Sequence, residues 1–184
     1  MTTGFIVLAG GKSTRMNFPK HELMINNQRM IDYIVSKANE ITNKVYISAN
    51  STINDYKITY DQRQNIGPIE GIYQCMHYSD CDYYCVMPCD KPMIPISVYR
   101  SMLENIKEYD CILLRNGGKV EPLVAVFKKS VEKIIKERIE NGLYSMTELC
   151  EQLSCTYYNT DLTLLNIKTQ EDYQLLLNQF EQNK

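Results

Sequence analysis

Short, nearly continuous apolar runs alternate along the chain with longer stretches whose apolar residues return every three or four positions. The runs at 4–8, 44–48, 56–60 and 82–87 have the length and β-branched or aromatic content of buried strands. Between them, Met30, Ile31, Ile34, Val35, Ala38 and Ile41 fall on one helical face, so the spacing predicts a helix over 28–41. The same reasoning predicts helices over 69–78, 96–106, 130–140 and 145–153, with Ser130 as an N-cap and Asn141-Gly142 closing the fourth of these five. Strands are expected at 110–115 and 120–127 around Asn116-Gly117-Gly118. A last strand is expected at 163–167, and a final helix, capped by Thr169, runs to about 180.

This alternation is the signature of an α/β protein: a mostly parallel central sheet with helices on both faces, in one domain spanning 1–184. Ligands of such sheets bind beyond the carboxyl ends of the strands. Three polar stretches fall there: residues 8–20, Asp61, and the Pro88-Cys89-Asp90-Lys91-Pro92 turn.

Composition narrows the chemistry. The formal net charge is −2, which excludes bulk attraction to nucleic acid or an anionic membrane. No apolar run is long enough to span a bilayer and the first residues do not resemble a signal peptide, so the expected compartment is the cytosol. The seven cysteines, odd in number and set in apolar segments, are expected to be free, mostly buried thiols. Cys81, Cys85 and Cys89 match no zinc spacing and are read as packing residues. His21 and His77 are read as incidental.

Positive charge is concentrated in one place, Lys12, Arg15 and Lys20, just after Leu8-Ala9-Gly10-Gly11. Gly11-Lys12-Ser13 ends like a P-loop, but the glycine required five positions earlier is Ile6. The dinucleotide pattern fails as well, because its second glycine would fall on Lys12 or Ser13. Two adjacent glycines still let backbone approach a phosphate closely, successive N–H groups can form an anion nest, and Arg and Lys are standard phosphate partners. Asp90, stiffened between prolines at a strand end, suits a hard cation such as magnesium, which takes one or two carboxylates and completes its shell with phosphate oxygens and water.

These blocks together resemble the molybdenum cofactor guanylyltransferases, the MobA family, within the wider group of glycosyltransferase-A-like nucleotidyltransferases. "LAGGKSTRM" with Lys20, "YDQRQNIGPIEGI", "VMPCDKPMIP", "EPLVAVF" and "NIKTQEDY" follow the family's blocks in order across about the whole chain. The resemblance implies a Rossmann-like nucleotidyltransferase fold and transfer of GMP from GTP to molybdopterin with release of pyrophosphate. Leu8, Ala9 and Gly10 would meet the guanine and ribose. Gly11, Arg15 and Lys20 would lie at the phosphates, and Ser48 would stand where the family often has a nucleotide-contacting Asn. Asp61 would recognise the nucleotide, Asp90 would hold Mg2+, and Glu121, Pro122 and Asn166 would line the acceptor side. The implied partners are GTP, molybdopterin and other molybdenum cofactor biosynthesis proteins or molybdoenzyme chaperones. Three departures from the family stand out: Asn17-Phe18-Pro19 in the loop before Lys20, Lys168 where an Asn is frequent, and Ser48 itself. The alternatives are the same chemistry with another base or acceptor, such as cytidylyl transfer to molybdopterin or a sugar-phosphate substrate, and a nucleotide-binding regulatory module without turnover.

Overall fold

The structure, a computed structural model, describes residues 1–11, 16 and 18–182. Seven strands form one sheet: β1 (Thr3–Leu8), β4 (Val45–Ala49), β5 (Ile58–Tyr60), β6 (Tyr83–Pro88), β7 (Cys111–Asn116), β8 (Lys119–Lys128) and β9 (Cys155–Thr160). A two-strand ribbon, β2 (Met24–Ile25) and β3 (Gln28–Arg29), stands apart from it. The sheet order is β5-β4-β1-β6-β8-β7-β9. Only β8 opposes its neighbours, pairing antiparallel with both β6 and β7. The other six strands share one direction.

Side-chain alternation along the strands sorts the core into two layers. Phe5 and Val7 of β1 face α1 (Met30–Asn39), α3 (Ile96–Asn105) and α6 (Gln170–Gln182). Ile6 and Leu8 face α2 (Pro68–His77), α4 (Val131–Glu140) and α5 (Met146–Gln152). The apolar runs read as strands are therefore covered on both sides, which is why they lack polar alternation.

Four expectations need correction. The segment 163–167 is not a strand. The last strand is β9, whose residues Cys155–Thr160 alternate between half-buried and exposed because β9 is a sheet edge. Its polar composition hid it from a search for apolar runs. Residues 28–29 pair with 24–25 before α1 begins. Ser130 precedes α4 in a helical conformation and its side chain makes no capping bond, whereas the Ser145 hydroxyl does accept from the Glu148 N–H at the start of α5. Finally, Cys111 and Cys155 are joined as a disulfide, being direct partners in the β7–β9 register with Cα atoms 4.9 Å apart. The other five cysteines are free and buried, and burial pushes the Cys89 thiol up to about 12.

Gly71 in α2 sits where helix and sheet touch. A Cβ there would lie 2.1 Å from Ser48 Oγ and 2.9 Å from Ser48 Cβ. Helix propensity alone would make Gly71→Ala favourable by about 1 kcal/mol. The contact reverses that sign, and we expect a net loss of order 1 kcal/mol, since overpacking costs about 1–3 kcal/mol. Chemical denaturation of Gly71→Ala and of Gly71→Ala/Ser48→Gly checks it: the double variant should recover stability that the single one loses.

Candidate functional site

The site is built where β1 ends. Beyond the last β1 pairs, Ala9 N–H donates to the Ser48 carbonyl at 2.8 Å, and Cys89 N–H donates to the Leu8 carbonyl at 2.9 Å. These two bonds carry the ladder one step past β1 and β6 and bring Ala9 and Cys89 onto one rim with Ser48 near the end of β4. A cavity of about 490 Å³ opens there. Its wall includes Leu8 at the end of β1, Ala9, Gly10 and Gly11 from the loop that follows, Ser48 near the end of β4 and Asn50 just after it. Asp61, Asn65, Gly67, Pro68 and Gly71 line the side toward α2, and Lys20, Pro88, Cys89, Asp90 and Leu123 close the other. The volume is within the range of small-molecule sites, about 300–1,000 Å³.

Each wall has its own support. Gly11 adopts φ +137°, with nothing within 4 Å of a hypothetical Cβ, so this backbone is open toward the cavity. The first turn of α2 also faces the cavity, placing the positive end of a helix dipole there. Asp61 accepts from the Ser48 hydroxyl at 3.4 Å. Burial, and secondly the nearby Glu70 charge, hold the Asp61 carboxyl above the usual carboxylate range, while the Ser48 bond opposes them.

The Asp90 turn is fastened from three sides. Ile167 N–H donates to the Asp90 carbonyl at 2.8 Å. Lys91, almost fully buried, pairs with Glu121, which also faces Lys119 at 3.6 Å. Lys37 on α1 donates to the carbonyls of Pro92 at 2.7 Å and Ile94 at 2.5 Å. The Asp90 carboxylate then lies 3.6 Å from the Lys20 ammonium. His21 is buried beside Lys20, 3.6 Å from Glu22.

The structure thus brings together Leu8, Ala9, Gly10, Gly11, Lys20, Ser48, Asp61 and Asp90 around one cavity. Arg15, like Lys12, lies outside the described residues. Glu121 and Pro122 are not on the cavity wall, although the next residue, Leu123, is. Asn166 is adjacent to the Asp90 turn through Ile167, and its buried side-chain oxygen has no hydrogen-bond partner among the described residues. Sequence reasoning missed Asn50, whose amide would lie 3.7 Å from a Cβ on Gly10. It stands two residues past Ser48, at the loop position directly after β4, and that placement was the available signal. Among the described residues no cluster of three or more His, Cys, Asp or Glu side chains could hold a metal alone, so any cation here would depend on oxygens from a ligand. No helix among them is long and apolar enough to cross a membrane.

The chain is similar to known proteins over nearly its whole length. A chain from Carboxydothermus hydrogenoformans named "probable molybdenum cofactor guanylyltransferase" is 26% identical over 186 residues, covering 95% of this chain and 94% of the relative. One of the same name from Bacillus cereus is 29% identical over 185 residues, covering 91% and 92%. Among solved structures, molybdopterin-guanine dinucleotide biosynthesis protein A from Archaeoglobus fulgidus superposes with a TM-score of 0.81 at 18% identity, covering 97% and 99%. A Mycobacterium tuberculosis protein solved in complex with manganese gives 0.71 at 13% identity, covering 97% and 99%. The model of the MobA-like NTP transferase domain matches residues 5–155, and the chain belongs to that family.

Proposed function

We propose that this nucleotidyltransferase, a single domain over 1–184 acting in the cytosol, transfers GMP from GTP to molybdopterin and releases pyrophosphate. The observation that carries the proposal is the convergence of the glycine loop, the Lys20–Asp90 pair and the Ser48–Asp61 pair on one nucleotide-sized cavity. The names of the relatives support guanine and molybdopterin as the particular base and acceptor. Their delivery and use would bring in other molybdenum cofactor biosynthesis proteins or molybdoenzyme chaperones.

In this reading Leu8, Ala9 and Gly10 hold the nucleoside against Asn50 and Ser48. The Asp61 carboxylate accepts from the N–H groups on the Watson–Crick edge of guanine. Gly11 and Lys20 meet the triphosphate, joined by Arg15 from the sequence motif. Glu121, Pro122 and Asn166 flank the acceptor. A terminal phosphate oxygen of the acceptor attacks the α-phosphorus, one P–O bond forms, and the bond to the departing pyrophosphate breaks. The attacking group is already anionic, so alignment and charge neutralisation suffice. Lys20 offsets charge on the phosphates as pyrophosphate leaves. Asp90 fits a hard divalent cation, since it offers one carboxylate at the cavity wall and leaves room for phosphate and water ligands. Mg2+ held there would neutralise phosphate oxygens and act as a Lewis acid toward the α-phosphoryl group.

Thermal shift with the four nucleoside triphosphates and magnesium tests the base. Binding to the folded state alone stabilises by about 2.7 kcal/mol at a hundredfold excess over Kd. GTP should give the largest shift, and an equal or larger shift with CTP would replace the guanylyl reading with a cytidylyl one.

For the catalytic pair, Asp90→Asn should abolish magnesium-dependent GMP transfer while metal-free GTP binding persists. Lys20→Ala should weaken GTP itself about ten- to a hundredfold, the equivalent of one charge-assisted contact of about 1.5–3 kcal/mol. Calorimetric binding and a pyrophosphate-release assay separate the two effects. An Asp90→Asn enzyme with wild-type metal dependence would remove Asp90 from the metal site.

Asp61 should show the conflict between binding and stability. Its raised pKa in the folded state means its protonated form contributes stability that is fully present below the ordinary value of 3.8 and lost as pH rises through the raised one. Asp61→Asn is therefore expected to melt no lower than wild type at pH 7, with any advantage vanishing below pH 3.8, while GTP affinity drops. Melting curves across pH and a GTP titration on the same preparations read both quantities.

A further inference from the structure

Glu70 is fully buried in the first turn of α2, does not line the cavity, and has no part in the chemistry above. A buried carboxylate persists only where donors satisfy it. Glu70 has four. Its Oε1 accepts from the backbone N–H groups of Gln62 at 3.1 Å and Arg63 at 3.2 Å, and from the Gln74 side-chain amide at 2.7 Å. Its Oε2 accepts from the Arg63 guanidinium at 3.3 Å. Two of these donors are the consecutive main-chain amides that directly follow Asp61.

The geometry points to Glu70 as a positioning residue for base selectivity, acting through the loop 61–67. This inference rests on the reading that Asp61 recognises the base. The loop carries three cavity residues, Asp61, Asn65 and Gly67, but belongs to no helix or strand. Its shape must therefore come from side-chain anchors. Ser48 holds the Asp61 carboxylate from the sheet side, and the missing side chain of Gly71 leaves space for that contact. Glu70 holds the other side, gripping the two amides next along the chain. A carboxylate that distinguishes guanine from adenine must be placed to within about 0.5 Å, because the donors on one base face acceptors on the other. Removing the anchor frees Asp61 laterally without touching Gly11, Lys20 or Asp90. The loss should then appear in discrimination between bases, not in affinity for triphosphate as such.

The experiment is calorimetric titration of the full chain with GTP and with ATP, magnesium present, for wild type, Glu70→Gln, Arg63→Ala and Lys20→Ala. In Glu70→Gln, whose amide cannot bind the Arg63 guanidinium and the two N–H groups as a carboxylate does, GTP affinity should fall about tenfold, the equivalent of one charge-assisted hydrogen bond. ATP affinity should change much less, so the GTP:ATP ratio narrows. Lys20→Ala should weaken both nucleotides alike and keep the ratio. Arg63→Ala removes only one of the four donors at a partly exposed residue, so it provides a folded variant even if Glu70→Gln does not fold. It should narrow the ratio in the same direction. A folded Glu70→Gln that keeps the wild-type ratio, or an Arg63→Ala that keeps it where Glu70→Gln cannot be folded, overturns the inference. Wild-type protein with no preference for GTP overturns the base reading and this inference together, which distinguishes that failure from failure of Glu70 alone.

Discussion

The two hydrogen bonds that continue the ladder past β1, from Ala9 N–H to the Ser48 carbonyl and from Cys89 N–H to the Leu8 carbonyl, govern the geometry of the site. They are backbone bonds at the centre of a parallel array, with β4 on one side of β1 and β6 on the other. Parallel strands end at the same edge, so the loops that follow them meet without any long excursion of the chain. A residue immediately beyond β1 or β6 is therefore held to the sheet's own precision. Asp90, one step farther, needs the extra fastenings from Ile167, Lys37 and Lys91.

The same edge gathers charge that the core would not tolerate. Glu70 and Lys91 are almost fully buried, and Lys37 is sunk far enough that burial brings its ammonium down to about 8. Each has close partners: four donors for Glu70, two carbonyls for Lys37, Glu121 for Lys91. A buried pair of this kind is weak evidence for net stability, because desolvation opposes the attraction. Their common effect is directional. All three hold loops that have no ladder of their own, and those loops carry Asp61 and Asp90.

The sheet and its coverage were legible in the sequence because they rest on period and apolar content. The strands at 4–8, 44–48 and 82–87 and the helix faces depend on local patterning alone. What was not legible depends on pairing across distance. The edge strand β9 carries Tyr157, Tyr158, Asn159 and Thr160, residues that suit a half-solvated edge and leave no apolar run to find. Missing β9 concealed the register that sets Cys111 opposite Cys155. Likewise, Lys37 reads as an ordinary polar position on an amphipathic helix, and nothing in its neighbourhood along the chain indicates that carbonyls 55 and 57 residues away will receive it. The cavity residues after β1, β5 and β6 were readable from their strand-end positions. Asn50 shared that position and was passed over for Ser48, whose hydroxyl instead faces Asp61.

This division between frame and loops explains how the fold tolerates so much sequence change. The frame is specified by backbone hydrogen bonds and generic apolar packing, neither of which requires particular side chains. Structural neighbours at 18% identity and below keep it. Selectivity between ligands must then reside where side chains, not backbone ladders, set position. In the proposed reading that place is around Asp61, where its carboxylate, the Ser48 hydroxyl and the absent Cβ of Gly71 meet within 3.4 Å of one another. In that reading a frame that receives the phosphates, joined to loops fixed by individual buried anchors, would let base preference change by replacing an anchor while the phosphate-handling edge stayed intact.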